Sequence, residues 1–301
     1  TKIKSINMVT KSDVSEMISK LLTDLGVTLI DEDKVIKQEI IGKGGFGQVY
    51  KCNYNGNIVA VKELMMTNDE KPESLTEISN EINFINKAQH EKLPKFFGVI
   101  IGKSGHLNLV FEYISGKTLK DYIDEIDDKQ KLQAVSELCE ILDYLHSKKL
   151  IHRDIKPANV MVEEGGKVRL IDFGISKIAS KTQTFTKNAT GTTAYMAPEC
   201  FDVDVELDPT NDKPITISGK TDVWAVGTLT SEIFSGGIIP WSKKCKNVMA
   251  IEIQLVKKKP FPIPDEVKNE VAVKVIKASC VVDPSERAKA SDIIKLIKDN
   301  M

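Results

Sequence analysis

The sequence predicts an α+β chain of two lobes: a small antiparallel β-sheet lobe with one main helix, then a larger, mainly α-helical lobe. Three observations carry this. β-rich stretches follow one another between residues 35 and 64, and Asn55-Gly56 joins the last two as a tight hairpin turn. Ser115-Gly116-Lys117 then breaks the strand-forming region. Beyond it apolar residues recur at helical spacing, and residues 222–234 are apolar on nearly every face, as a buried core helix must be. A chain of 301 residues is long enough for two lobes with a sizeable core.

Taken in order, residues 11–26 read as an amphipathic helix ahead of the main domain. Val14, Met17, Ile18, Leu21, Leu22 and Leu25 fall on one stripe; Asp13 with Glu16 can cap its start, and Gly26 can end it. Packing against the domain is the expected role of that stripe, with a partner-binding helix as the alternative. The extension is placed at 1–32, the small lobe at 33–114 and the large lobe at 115–301. Strands are expected over 35–41, 48–54 and 58–64, with a short apolar one over 107–113. The small lobe's helix is expected over 72–88, with Leu75, Ile78, Ile82 and Ile85 on a stripe. In the large lobe, 131–145 carries Val135, Leu138, Leu142 and Leu145 at helical spacing. Residues 202–212 are acidic, contain Pro209 and read as an exposed loop. Lys257-Lys258-Lys259 reads as a solvated turn.

Composition narrows the function classes. Net charge is −1, with 41% apolar and 28% charged residues, so there is no general attraction to nucleic acid or anionic membrane. The five cysteines (Cys52, Cys139, Cys200, Cys245 and Cys280) are scattered and lack Cys-x-x-Cys spacing; they read as reduced thiols of a cytoplasmic protein. The four histidines, His90, His106, His146 and His152, show no zinc-ligand spacing. No apolar run approaches the length of a membrane span, and no signal peptide is read.

The chemistry concentrates in a few motifs. Residues 152–159 read His-Arg-Asp-Ile-Lys-Pro-Ala-Asn, followed by Ile171-Asp172-Phe173-Gly174. Gly42, Gly44 and Gly47 form Gly-x-Gly-x-x-Gly between the first two strands, and Val59-Ala60-Val61-Lys62 lies in the third. Alone, the glycine motif also fits a dinucleotide-binding turn. That version opens a helix, whereas here the chain runs on into a strand-like stretch. No Gly-Lys-Ser/Thr follows, which excludes a Walker-type loop. Ala197-Pro198-Glu199, Asp222-Val223-Trp224 and Asp283-Pro284-Ser285-Glu286-Arg287 come after. In this order, over about residues 33–298, the motifs resemble the eukaryotic protein kinase catalytic domain. Lys156-Pro157-Ala158-Asn159 is similar to the Ser/Thr type, with the tyrosine-kinase-like group a candidate subgroup.

The resemblance implies the two-lobed protein-kinase fold. It also implies an ATP- and Mg2+-dependent transfer of the γ-phosphoryl group to Ser or Thr of protein substrates. Asp154 would then orient the hydroxyl nucleophile and take its proton late. Lys156 would hold a positive charge over the moving phosphoryl group. Asn159 and Asp172 would supply hard oxygen ligands to Mg2+. Lys62 ends a buried apolar strand and needs anionic partners: the ATP phosphates and a helix glutamate. Glu81 is chosen over Glu77 because it flanks Ile78 and Ile85 and lies nine residues before His90. In the ATP site, Ile41, Gly42, Gly44 and Gly47 cover the nucleotide, and Val49, Ala60, Leu119 and Met161 sandwich the adenine. The Glu112 carbonyl and the Ile114 amide meet its edge, and Phe111 guards the back. Thr192 is expected to bond Asp154 and Lys156, Asp222 to brace the catalytic loop, and Glu199 to pair with Arg287. Arg153 would receive a phosphate carried by Thr182, Thr184, Thr186 or Thr190 of the activation segment. A pseudokinase would be expected to lack Lys62, Asp154 or Asp172, and all three are present.

Overall fold

Asn55 and Gly56 turn the chain at φ values of +51° and +82°, the left-handed pair that a two-residue hairpin requires. The register of β2 (Gly47–Tyr54) against β3 (Asn57–Leu64) follows from that turn, from Tyr54 opposite Asn57 to Val49 opposite Lys62. β1 (Val35–Gly44) pairs with β2, and β5 (Leu107–Glu112) with β3. β4 (Phe96–Ile101) joins β5 and completes an antiparallel sheet of order β1-β2-β3-β5-β4. The sequence did not predict β4, whose apolar run is interrupted by Gly98. The structure, a computed structural model, describes residues 11–44, 47–64, 72–102, 106–172, 193–201 and 218–301. They form two compact units. One holds the chain up to Gln89 together with Pro94–Tyr113; the other holds His90–Leu93 and the described residues from Ile114 onward.

Side-chain alternation gives the first unit its core. Cys52, Val59, Val61 and Val110 point to one face of the sheet and are buried with Ile100 and Ile30. Two helices complete the unit, α1 (Lys11–Asp24) packed on α2 (Pro72–Lys87), which also meets β4. Ile18 and Leu22 of α1 and Ile78, Ile82 and Ile85 of α2 are buried, so these members of the predicted stripes face inward; Leu21 and Leu25 are half-buried, Met17 is exposed, and the side chains of Val14 and Leu75 lie outside what the structure describes. Asp13 falls within α1 rather than ahead of it. Gly26, at φ +71°, ends the helix: Val27 N–H donates to the Leu22 carbonyl and Gly26 N–H to that of Thr23, the paired bonds of a Schellman ending.

The segment after α1 then runs along β4, the edge strand. Leu29 forms a parallel bridge with Val99; Val99 N–H donates to the Thr28 carbonyl (2.9 Å) and Ile30 N–H to the Val99 carbonyl (2.8 Å). Part of an otherwise open sheet edge is thereby covered. Gly98 makes the approach possible. Its φ is +147°, and a Cβ there would lie 2.2 Å from the Thr28 carbonyl oxygen.

In the second unit, β6 (Lys117–Thr118), β7 (Val160–Val162) and β8 (Val168–Leu170) form a small antiparallel sheet. The helices are α3 (Leu119–Tyr122), α4 (Asp128–Ser147), α5 (Gly219–Phe234), α6 (Val248–Val256), α7 (Glu270–Ser279) and α8 (Ala290–Lys298). α4 opens on a capping box between Asp127 and Gln130, three residues earlier than its apolar spacing suggests. α5 is buried from Thr221 to Phe234, as its all-round apolar pattern requires, and packs against α4 and α7. Arg287, buried, donates to both carboxylate oxygens of buried Glu199 (2.7 and 3.0 Å), to the carbonyls of Val281 and Lys220, and stacks over Trp224. All five cysteines are free thiols. Among the described residues no helix is long and apolar enough to cross a membrane.

Two substitutions test this packing. Gly98→Ala adds a Cβ against a backbone oxygen at a left-handed φ, and should destabilise the chain by about 1–3 kcal/mol in denaturant titration. A change below about 0.5 kcal/mol would mean the N-terminal segment is not held there. Arg287→Leu leaves the Glu199 carboxylate buried without its fork of donors and should cost about 3–5 kcal/mol. Adding Glu199→Gln to that variant should recover part of the loss, which thermal unfolding would register.

Candidate active site

The 152–159 motif hangs from one carboxylate. Asp222 lies in the first turn of α5, 1% exposed. Its Oδ2 accepts from His152 N–H (2.9 Å) and its Oδ1 from Arg153 N–H (2.8 Å). His146 Nε2, from the end of α4, also lies 2.9 Å from Oδ2. Burial alone would raise the pKa of this carboxyl. The His146 hydrogen bond, the two imidazoles and the His152 N–H outweigh it and hold the group below its usual range. Asp222 thus braces the loop backbone as expected, and it does so where Arg153 adopts φ +66°, a costly conformation for a side chain with a Cβ. Burial also pushes the His152 imidazole down, against the raising effect of Asp222, Asp154 and Asp172.

From this anchor the loop brings three predicted residues together. Asp154 Oδ2 accepts from Lys156 Nζ (2.8 Å) and from Asn159 Nδ2 (2.8 Å). Asn159 Nδ2 also donates to the Asp154 carbonyl (2.7 Å). Pro157 opens the short 3-10 turn 157–159, where its fixed φ and missing N–H suit the first position, and the turn leads directly into β7. The Ile171 N–H donates to the Asn159 carbonyl (2.9 Å), so the β7–β8 hairpin holds Asn159 just before one strand and Asp172 just past the other. Asp172 is half-buried at φ +65°. The Asn159 amide nitrogen is used on Asp154, which leaves its oxygen as the atom suited to a cation. With the Asp172 carboxylate it would give a pair of hard oxygen donors, the kind of ligand a cation such as Mg2+ would take.

In the first unit the period of two sorts the predicted nucleotide residues. Val49 pairs with Lys62, which pairs with Leu109; Ala60 pairs with Lys51 and Phe111. Val49, Ala60, Lys62 and Phe111 therefore share one sheet face, opposite to that of Cys52, Val59, Val61 and Val110. Gly42 stands opposite Val49 and Gly44 opposite Gly47, so the motif is a hairpin and not the mouth of a helix. The structure adds a reason for Gly47: a Cβ at its φ of +139° would lie 2.0 Å from the Glu63 carbonyl oxygen. Ile41 is exposed on β1. Glu112 ends β5, its N–H donating to the Lys95 carbonyl (2.8 Å) and its Oε2 accepting from Lys95 N–H (3.0 Å).

In the second unit Ile114 and Leu119 are buried and Met161 is half-buried in β7. Glu77 and Glu81 both fall on α2, but their side chains lie outside what the structure describes. Thr182, Thr184, Thr186, Thr190 and Thr192 lie outside the described residues, as do Phe173 and Gly174.

Sequence reasoning missed two polar partners. His146 carries no motif of its own. The Tyr195 hydroxyl donates to Glu232, a buried carboxyl on α5 that burial pushes up, and the bond ties the 193–201 segment to that helix. Glu232 lies far inside a helix whose pattern marks it as buried, and that placement was the available signal.

Comparison with known proteins matches residues 35–296 to the protein kinase domain family. Serine/threonine-protein kinase dst1 of Dictyostelium discoideum is 29% identical over 287 residues, 92% of this chain and 36% of the relative. Mitogen-activated protein kinase kinase kinase 2 of Arabidopsis thaliana is 30% identical over 273 residues, 86% of this chain and 40% of the relative. Serine/threonine-protein kinase KIC1 of Saccharomyces cerevisiae is 30% identical over 266 residues, 86% of this chain and 23% of the relative. The chain spans less than half the length of each of these relatives. With the matched region covering both units and the braced 152–159 loop, the chain belongs to the protein kinase domain family, Ser/Thr type.

Proposed function

We propose that the domain transfers the γ-phosphoryl group of ATP, with Mg2+, to Ser or Thr hydroxyls of protein substrates. The observation that carries this reading is Asp154, whose Oδ2 is fixed by Lys156 and Asn159 on a loop anchored to Asp222. A carboxylate so held can receive the substrate hydroxyl, align its oxygen and accept its proton late in the transfer. Lys156, 2.8 Å from Asp154, carries the charge that accompanies the phosphoryl group as it moves. Asn159 and Asp172 would hold Mg2+, which when bound neutralises phosphate charge. Lys62, on the same sheet face as Val49 and Ala60, would position the α- and β-phosphates, with Glu81 as its helix partner. The Glu112 carbonyl and the Ile114 amide would read the adenine edge. The scattered free thiols suit a cytoplasmic setting.

Regulation by phosphorylation belongs to the same reading. Arg153 is half-buried beside the base in a loop that also contains Lys156. A phosphate on Thr182, Thr184, Thr186 or Thr190 would offer that cation strong acceptors and help order the activation segment.

Asp154→Asn should lower phosphoryl transfer on the order of 100–10,000-fold while ATP affinity, read by nucleotide fluorescence, stays within a small factor. Wild-type turnover in the purified variant would remove Asp154 from the reaction. Phosphoamino-acid analysis of a phosphorylated peptide mixture should return Ser and Thr; tyrosine alone would overturn the substrate class. Separately, the active chain should carry phosphate on one of the four threonines, lose rate on phosphatase treatment, and show no such difference as Arg153→Ala. Full activity with no phosphate on those residues would rule this regulation out.

A further inference from the structure

Lys62 and Glu81 stand on different elements, and one stretch of chain packs against both. Lys62 follows Val61 in β3, and Val59 and Val61 are buried in a cluster that includes Ile30. Glu81 falls on α2, one turn from Ile78 and from Ile85, which are buried. Among the described residues, α2 packs against α1 and, less extensively, against β4. α1 in turn buries Ile18 and Leu22, which are 2% and 0% exposed. Its end is tied to the last turn of α2, where Asn86 Nδ2 donates to the Gly26 carbonyl (3.3 Å). The chain then passes buried Val27 and hydrogen-bonds along β4 as far as Ile30. All of this lies ahead of residue 35, where the match to the protein kinase domain family begins, so the bracing of α2 is not part of the matched family pattern. Directional bonds do little to place the helix. Ser79 Oγ and Asn83 Oδ1, one turn apart on α2 and both buried atoms, have no hydrogen-bond partner among the described residues. Apolar packing has no preferred direction, so a helix held this way takes its position from the surface it is pressed against.

We propose that residues 11–30 are a positioning element for phosphoryl transfer: α1 and the Thr28–Ile30 stretch hold α2 against the sheet at the depth where Glu81 reaches Lys62. Leu22 is the residue on which that placement turns. It is fully buried, and its carbonyl accepts the Val27 N–H that reverses the chain after α1. Ile30 fixes the other end, in the same cluster as the strand that carries Lys62. A shift of α2 would separate two charged groups whose pairing depends on distance, which is how a substitution remote from the chemistry lowers a rate. The inference rests on the reading in which Lys62 and Glu81 together position the ATP phosphates. Residues 11–30 act through α2, so they are positioning residues and not catalytic ones.

Two variants of the full chain release the segment from opposite ends. Leu22→Ala removes the buried anchor of α1, and Gly98→Ala sets a Cβ against the Thr28 carbonyl. With a mixture of Ser- and Thr-containing peptides as acceptor, each should lower kcat/KM for ATP roughly tenfold or more. Leu22→Met, which keeps the volume, should stay within about twofold of wild type. Each substitution is then repeated in the Glu81→Gln background. Because the segment acts through Glu81, Leu22→Ala and Gly98→Ala should change the already slow Glu81→Gln rate by less than about twofold. Loss of folded protein would lower the rate equally in both backgrounds, and that result overturns the proposal. Hydrogen–deuterium exchange without nucleotide gives a reading independent of activity. Amides of α2 should exchange about tenfold faster in both variants, while those of α5 keep their wild-type rates. Unchanged exchange in α2, or wild-type kcat/KM in both variants while Glu81→Gln is slow, overturns the proposal alone. Full activity of Glu81→Gln refutes the Lys62–Glu81 pairing, and the inference with it.

Discussion

A buried carboxylate has to be satisfied, and in the large lobe the way Asp222 is satisfied shapes everything around the catalytic motif. The group is removed from water inside the first turn of a helix that is buried along almost its whole length. Its oxygens therefore draw in the His152 and Arg153 N–H groups and the His146 ring. Those bonds hold Arg153 in a left-handed conformation that a free loop would leave. Once that backbone is set, Asp154, Lys156 and Asn159 fall within hydrogen-bond distance of one another. The loop inherits the rigidity of α5 through charge-assisted bonds, which is how a site carried by a loop attains the placement that chemistry needs.

The small lobe meets a different constraint with the period of the β-strand. Cys52, Val59, Val61 and Val110 turn to one face and close the core; Val49, Ala60, Lys62 and Phe111 turn to the other. A slip of one residue would exchange the two sets. The Asn55-Gly56 turn fixes the register between β2 and β3, so the same dipeptide that makes the hairpin also decides which face Lys62 occupies. Gly47 of the glycine motif has a packing duty that its spacing does not reveal: its missing Cβ admits the Glu63 carbonyl of the neighbouring strand.

The N-terminal segment is bound into this lobe by more than a helix stripe. α1 covers α2 with Ile18 and Leu22, Gly26 reverses the chain, and Thr28–Ile30 bonds along the edge strand above Gly98. Ile30 joins the same core cluster as Val59 and Val110. Burial of apolar area and pairing of edge groups act together here, so the segment belongs to the lobe's own packing.

Much of this was determined by local sequence. The hairpin turn, the stripes of α1 and α2, the buried character of α5 and the order of the 42–47, 62, 152–159 and 172 motifs are written in neighbouring residues. Periodicity and turn chemistry act within a few positions, so they can be read without a fold. The tertiary structure decided the rest. It brought His146 to Asp222 across 76 residues and Tyr195 to Glu232 across 37. It made a strand of Phe96–Ile101 by pairing it with Leu107–Glu112, and it gave Gly98 its purpose by laying Thr28 over it. These partners are chosen by which surfaces meet when helices and strands pack. A buried polar group takes whichever donor the packing delivers, and no local pattern of residues encodes that choice.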